Sequence, residues 1–465
     1  MTTHLRSLRP HLLTALLATT GIIASCTHPK RDYADPDLLD TAGTGNDAGG
    51  RSGSGSAGSS HAGANNDAGA NNDAGEGGSA GEAPAGGGTA GSTSGGAGGA
   101  GGAAPTCVAP TSACGGSCVN LKTDPKNCSV CGHDCLGGVC DVGSCQPTTV
   151  VTGQSRVSQI STDGTYLYWS GADTSGALYY IARRKVDGSD AVKVLANAET
   201  SAGTVAIVGA KVYWMARGHL RSCDAPNCTT GAVDAIATVS AARCGYSMFY
   251  APSKDRLFFG CSANYGMNDG SLWALNFPAT TPVTVGPVPS SPTALASDGT
   301  NVYWINSSTY TNDSPNADGG AWRVRLSDGV TTQLVPNVKG DVSYLAVGGN
   351  ALYFTGNIQV VQNPVTYSTA ILRAPLPNGL ATGSLPKFVD INNVSGMVAD
   401  DQYLYFTQYG NPGNVSRCAH AGCPTPEVIA PGVPGPENMT QDTGSIYWTT
   451  SVLGATTGSI QRLAK

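Results

Sequence analysis

From residue 148 onward the chain runs in short stretches that alternate apolar and polar positions, interrupted every few residues by Gly, Asp, Asn, Ser or Pro. Period-two alternation of this kind marks half-buried β-strands, and no window sustains the 3.6-residue spacing of a helix face. One run recurs seven times, an aliphatic residue followed by two aromatics. The copies are Leu167-Tyr168-Trp169, Val212-Tyr213-Trp214, Leu257-Phe258-Phe259, Val302-Tyr303-Trp304, Leu352-Tyr353-Phe354, Leu404-Tyr405-Phe406 and Ile446-Tyr447-Trp448, spaced 42 to 52 residues apart. Such a period is that of a four-stranded propeller blade. Each copy repeats one plan, in which an apolar strand such as Ala294-Leu295-Ala296 turns at Asp298-Gly299 into the aromatic strand. A connection of variable length, a third strand such as 322–326, a turn at Asp328-Gly329 and a last strand at 333–335 complete it. Asp-Gly between alternating runs is a strong hairpin signal.

The pattern predicts an all-β fold, a seven-bladed β-propeller over residues 147–465. Copy seven stops at its third strand, Ile460–Leu463, while Thr148–Thr152 is a spare strand ahead of copy one. Pairing the two closes the circle and protects both sheet edges. Seven aromatic pairs at equivalent positions read as packing between blades. The run Ile446-Tyr447-Trp448-Thr449-Thr450 resembles the Tyr-Trp-Thr-Asp blades of lipoprotein-receptor propellers, with Thr450 where that family has Asp.

Composition divides the rest of the chain. The chain has 63 Gly and 27 Pro, and only 12% of its residues are charged. From 27 to 106 it is Gly, Ala, Ser, Asn and Asp, which cannot bury enough apolar surface to offset its ordering entropy. Residues 26–106 therefore read as a disordered tether, with a reach of roughly 40–50 Å for a flexible Gly-rich chain. Ahead of it, Arg6 and Arg9 precede an apolar run from Leu12 to Ile23, too short to span a bilayer. Residues 1–25 read as a signal peptide. The run Ile23-Ala24-Ser25-Cys26 resembles the lipobox of bacterial lipoproteins, which implies that Cys26 is acylated and becomes the first mature residue. The partner so implied is a lipid bilayer. Thr27 lacks the Asp of inner-membrane retention, so the resemblance favours the outer membrane.

Removing Cys26 leaves 14 of the 15 cysteines, an even number. Eight of them, Cys107, Cys114, Cys118, Cys128, Cys131, Cys135, Cys140 and Cys145, fall within residues 107–146. So short a segment needs staples in place of a core. In an exported chain those staples are disulfides, whose pairing the spacing leaves open. Cys128, Cys131 and Cys135 with His133 form a zinc alternative. The run Cys114–Leu121 and Asp124–Cys135 resembles the cysteine-rich module of the plant stigma-specific protein family, which implies an extracellular interaction module. In the repeats, Cys223 and Cys228, and likewise Cys418 and Cys423, share a C-x4-C spacing just after a third strand. Cys244 and Cys261 lie on neighbouring strands of copy three.

The balance of 26 basic and 32 acidic residues, net −6, excludes a nucleic-acid partner. Function is expected on the connections between second and third strands, long at 262–270, 305–320, 355–369 and 449–458, since loops on a rigid scaffold carry binding. Tyr265, Asp269, Tyr310, Asp313, Asp318 and Tyr367, with Asp173 and Tyr409 in shorter neighbours, make a Tyr-rich candidate binding face. Residues 312–319 have oxygen ligands for calcium without the spacing of a known calcium loop. No metal or cofactor is expected. The repeats hold two histidines, His219 and His420, both expected at blade edges, which leaves few catalytic arrangements. The leading expectation is an exported binding scaffold for a protein or glycan; the rivals are a polysaccharide lyase or glycoside hydrolase on acidic loops and a structural envelope component.

Overall fold

The computed structural model describes residues 106–199, 202–216, 219–229, 231–235, 243–262, 270–285, 292–306, 320–336, 342–362, 365–380, 387–451 and 457–465. Seven four-stranded antiparallel sheets build the ring, and in six of them the spatial order of strands is the chain order. These are blades 1 to 6 at 157–199, 205–234, 243–284, 292–336, 345–390 and 394–433. Blade 7 combines Pro436–Gln441, Ser445–Ser451 and Gly458–Ala464 with Thr148–Gln154, which pairs antiparallel to the third of these. The ring is thus closed by the N-terminal strand. The first strands of neighbouring blades meet all the way round, including blade 7 on blade 1, so these strands surround the axis.

The recurring aromatic run explains the ring. Successive residues of a strand point to opposite faces of its sheet, so the middle aromatic faces the next blade and the last one the preceding blade. Tyr168 packs with Val212 and Trp214 of blade 2, and Tyr303 with Leu352 and Phe354 of blade 5. Tyr447 packs with Leu167 and Trp169 across the closure. The same contact joins Tyr213 to Phe259, Phe258 to Trp304, Tyr353 to Phe406 and Tyr405 to Trp448. Every blade boundary carries one such cluster. Four blades have Trp and three have Phe at the last position, and the indole N–H groups of Trp214, Trp304 and Trp448 have no hydrogen-bond acceptor among the described residues. The position selects ring volume rather than a polar contact.

Near the axis, short polar side chains join one innermost strand to the next. Ser161 Oγ donates to the Val205 carbonyl, and the Leu295 N–H donates to Ser247 Oγ. Thr293 Oγ1 donates to Val342, Ser395 Oγ to Pro436, and Asn438 Nδ2 to Ser158.

Three expectations are revised. The connection expected at 355–369 is mostly strand. Ala351–Gln362 and Val365–Pro375 form one long hairpin in which Tyr367 stands opposite Gln359. The β-branched residues Thr355, Ile358, Val360 and Val361 in one arm and Val365, Thr366, Thr369 and Ile371 in the other favour that extension. The connection between the third and fourth strands of blade 5, from Pro375 to Lys387, is not a short turn. His420 is not at a blade edge but buried, with Nδ1 2.9 Å from the Tyr353 hydroxyl of blade 5 and Nε2 2.8 Å from the Asp400 carbonyl. Because a carbonyl only accepts, Nε2 donates and Nδ1 accepts from the tyrosine.

Trp304→Ala is expected to cost about 3–5 kcal/mol in stability, because it opens a cavity between blades 3 and 4. Trp304→Phe, the residue used by three other blades, is expected to cost less than half as much. Chemical denaturation of the two variants measures both, and equal costs would show that the indole nitrogen matters.

Candidate binding face

Propeller topology sends the connections from second to third strands, and the crossings between blades, to one face. The turns between first and second and between third and fourth strands go to the other. The two faces are built differently.

On the turn face, an aspartate closes the first turn of four blades. Asp163, Asp298, Asp400 and Asp442 each accept, on Oδ1, backbone N–H groups two and three residues on. In three of them the other oxygen takes the hydroxyl of the tyrosine five residues on, Tyr168 at 3.2 Å, Tyr303 at 2.6 Å and Tyr447 at 2.8 Å. Burial and then the neighbouring carboxylate push these tyrosine hydroxyls, and that of Tyr405, upward. At Asp298, burial opposes ionisation, but the Tyr303 hydroxyl, the Asn301 amide and the backbone N–H groups of Thr300 and Asn301 outweigh it and hold the carboxyl low. Asp400 is also held low: burial is overcome by the N–H groups of Tyr403 and Gln402 and by Lys465.

An arginine stands opposite each of these tyrosines on the third strand: Arg183, Arg323, Arg417 and Arg462. Three of the four reach the next blade. Arg183 donates to the Pro226 carbonyl and the Asn227 side chain, Arg323 to Pro377, and Arg462 to Val186 of blade 1. An Asp five residues before the Tyr and an Arg opposite it bind the turn face together. The Asp spacing is visible once the repeats are aligned on their aromatic pairs; the Arg contacts are not.

On the opposite face the described residues are fewer. Asp173 is occupied by its own loop, its Oδ1 accepting from Ser175 Oγ and from the N–H groups of Gly176, Ala177 and Leu178. The Ser175 hydroxyl first, then those N–H groups, lower its carboxyl below the ordinary range. Tyr409 is half-buried, and its N–H donates to the Asn393 carbonyl at 2.7 Å. Tyr180, missed as a candidate, donates its hydroxyl to the Ser155 carbonyl at 2.7 Å, and burial pushes it up to about 12. Asp173 and Tyr180 thus hold their own connections in shape. For Tyr367 only the backbone is described. Tyr265, Asp269, Tyr310, Asp313 and Asp318, the 312–319 oxygen cluster and Cys26 lie outside the described residues.

The cysteines pair as Cys107–Cys118, Cys114–Cys131, Cys128–Cys140, Cys135–Cys145, Cys223–Cys228 and Cys418–Cys423. Cys244 stands directly opposite Cys261 in the backbone register, and Cys261 is disulfide-bonded. The zinc alternative fails on this pairing: Cys128, Cys131 and Cys135 each join a different partner, and His133 faces backbone oxygens. So many disulfides belong to an extracellular or periplasmic protein. Among the described residues, no helix is long and apolar enough to cross a membrane.

No protein-family model matches the chain, and no curated protein sequence matches it. Among solved structures, the chain is similar to the β-propeller domain of the Trilobed protease from Pyrococcus furiosus, at 12% identity and a TM-score of 0.46, over 67% of this chain and 95% of that one. It is also similar to the Neurospora crassa Pan2 WD40 domain, at 8% identity and a TM-score of 0.46, over 66% and 89%. A third match is a chain of the nidogen/laminin complex, at 12% identity and a TM-score of 0.36, over 50% and 82%.

Lowered carboxyls at Asp298 and Asp400 tie stability to pH. A group whose folded-state value lies below its unfolded one contributes above the unfolded range, near pH 4 for Asp, and loses that contribution as pH falls through the folded value. The melting temperature is therefore expected to drop below about pH 4, and Asp298→Asn, though less stable at neutral pH, to drop less over that window. Parallel slopes for the two proteins in a pH-resolved melting series would refute the assignment.

Proposed function

We propose that this chain is an exported, lipid-tethered binding protein, whose propeller presents the face of long connections to a protein or glycan. The observation that carries the reading is the contrast between the faces. Aspartate-capped turns and arginines crossing between blades consolidate one face, whose longest connection runs from Pro375 to Lys387, while the second-to-third-strand connections on the other range from Gln362–Val365 to Asn306–Gly320. A closed scaffold that fastens one face and varies its connections on the other is organised for recognition. The Tyr, Asp and Asn content of the long connections suits adaptable polar contacts around aromatic anchors.

The innermost strands support binding over catalysis. Their side chains are mostly small, hydroxylic or apolar, and Glu437 is the single carboxylate among the seven. Glycoside hydrolysis in its common form needs two carboxyl groups flanking the bond, so a second would have to come from a connection. Tethering rests on the lipobox resemblance at Cys26, and the compartment on the disulfides.

Two experiments test this. In a bacterial host with a lipoprotein pathway, the full chain is expected to incorporate a fatty-acid label and to partition with membranes, and Cys26→Ser to do neither. A labelled Cys26→Ser protein would overturn the anchor. Against immobilised envelope polysaccharides and exported proteins, replacing Tyr265 and Tyr310 together with Ala is expected to weaken binding at least roughly tenfold, as hot-spot aromatics do, without changing the melting temperature. Shortening of a polysaccharide by the wild-type chain would instead establish the enzymatic reading.

A further inference from the structure

Ring closure in this protein rests on one ladder between segments some 300 residues apart, Thr148–Gln154 and Gly458–Ala464. That ladder is interrupted twice, between Gly458 and Ile460 and between Ile460 and Gln461. An interrupted pairing of chain-distant strands is where a propeller opens first, because long loop closure must be held by few regular contacts.

The cysteine module sits on this joint. Only Gln146 and Pro147 separate Cys145 from the closing strand. Arg462, on the strand being closed upon, donates through Nη1 to Val186 of blade 1 and through Nη2 to the Leu136 carbonyl of the module. His133 places Nε2 2.7 Å from the Lys465 backbone oxygen and Nδ1 2.7 Å from the Cys128 carbonyl. At Gly138, a Cβ would lie 2.6 Å from the Gln146 carbonyl oxygen and 3.4 Å from Thr148 Cγ2, so module and strand are in close contact.

The four disulfides divide into two kinds. Cys128–Cys140 and Cys135–Cys145 are between 0 and 7% exposed and share one apolar cluster with Tyr405 of blade 6 and Ile446, Trp448 and Leu463 of blade 7. Of the other two pairs, Cys118 and Cys131 are exposed and Cys114 is buried, and none of their cysteines belongs to that cluster. The module's regular structure is two hairpins with strands of two or three residues, too little to hold its shape without the sulfur bonds.

We propose that the module is a redox-dependent clasp: its inner disulfides, Cys128–Cys140 and Cys135–Cys145, keep the seventh blade shut, and their reduction loosens the pairing of 148–154 with 458–464. Each reduction takes two electrons and two protons from a dithiol, which becomes a disulfide, and leaves two thiols on the module. The freed segment then no longer presents Leu136 to Arg462 or His133 to Lys465, and the closing strand loses its fixed handle. The proposal is independent of what the opposite face binds.

Hydrogen exchange of the full chain, read by mass spectrometry on peptides covering 149–154 and 459–463, tests it. Cys128→Ser with Cys140→Ser, and Cys135→Ser with Cys145→Ser, are each expected to speed exchange there roughly tenfold or more while peptides of blades 3 and 4 stay unchanged. Cys107→Ser with Cys118→Ser is expected to stay within about twofold of wild type, since neither cysteine belongs to the buried cluster at the joint. His133→Ala, which removes a contact of the seat and no sulfur, is expected to give an intermediate increase confined to the same two peptides. Wild-type protein treated with a dithiol is expected to show the closing-strand increase in step with the appearance of inner thiols. Unchanged exchange in the inner variants, equal increases in inner and outer variants, or loosening spread evenly over all blades would each overturn the clasp.

Discussion

The structure depends on one contact repeated seven times, an aromatic ring from the second strand of one blade set against an aliphatic residue and a second ring from the next. Because a strand points alternate residues to opposite faces, two consecutive aromatics serve two different boundaries. No blade can bury its own aromatic pair. Each sheet is therefore half of two interfaces, and the only arrangement that buries all of them without leaving an edge is a closed ring. The strand brought from position 148 to complete blade 7 is a consequence of that constraint.

Where the polar reinforcement of this contact is missing, another group has taken its place. Blades 1, 4, 6 and 7 set Asp and Arg around the tyrosine. In blade 2, Tyr213 stands opposite Ser222, and its ring instead meets Phe277 of blade 3 at 5.4 Å. In blade 5, no Asp stands five residues before Tyr353. His420 enters from blade 6, lies 5.5 Å from the tyrosine ring and receives its hydroxyl. Gly349 makes room for that histidine: its φ is +54°, and a Cβ there would lie 2.3 Å from the imidazole. A buried hydroxyl needs an acceptor, which is a carboxylate in blades 1, 4 and 7 and the His420 ring in blade 5.

Much of this was legible in the linear pattern, and the reasons for the remainder are specific. The aromatic run and its period gave the blades, and the missing fourth strand of copy seven gave the closure, because both are local features repeated in register. The long hairpin of blade 5 reads as a connection in the sequence, since consecutive valines and a central Asn-Pro interrupt any alternation in its arms. The burial of His420 is not visible in the sequence because the histidine and the tyrosine it meets lie 67 residues apart. Of the candidate face, Asp173 stands on a connection, and its carboxylate is engaged by the loop that carries it.

By itself the sequence determined the repeating strands outside the blade 5 hairpin, how many blades they make, and that the cysteines stabilise an exported chain, because each rests on spacing along the backbone and on composition. Only the tertiary structure decided how the cysteines of the small module pair, that two of its disulfides pack against the last two blades, and that Arg462 joins blade 7, blade 1 and the module. Those outcomes depend on which surfaces meet when the ring shuts. Spacing constrains near neighbours, whereas the meeting of residues 136 and 462 is set by closure of the whole ring.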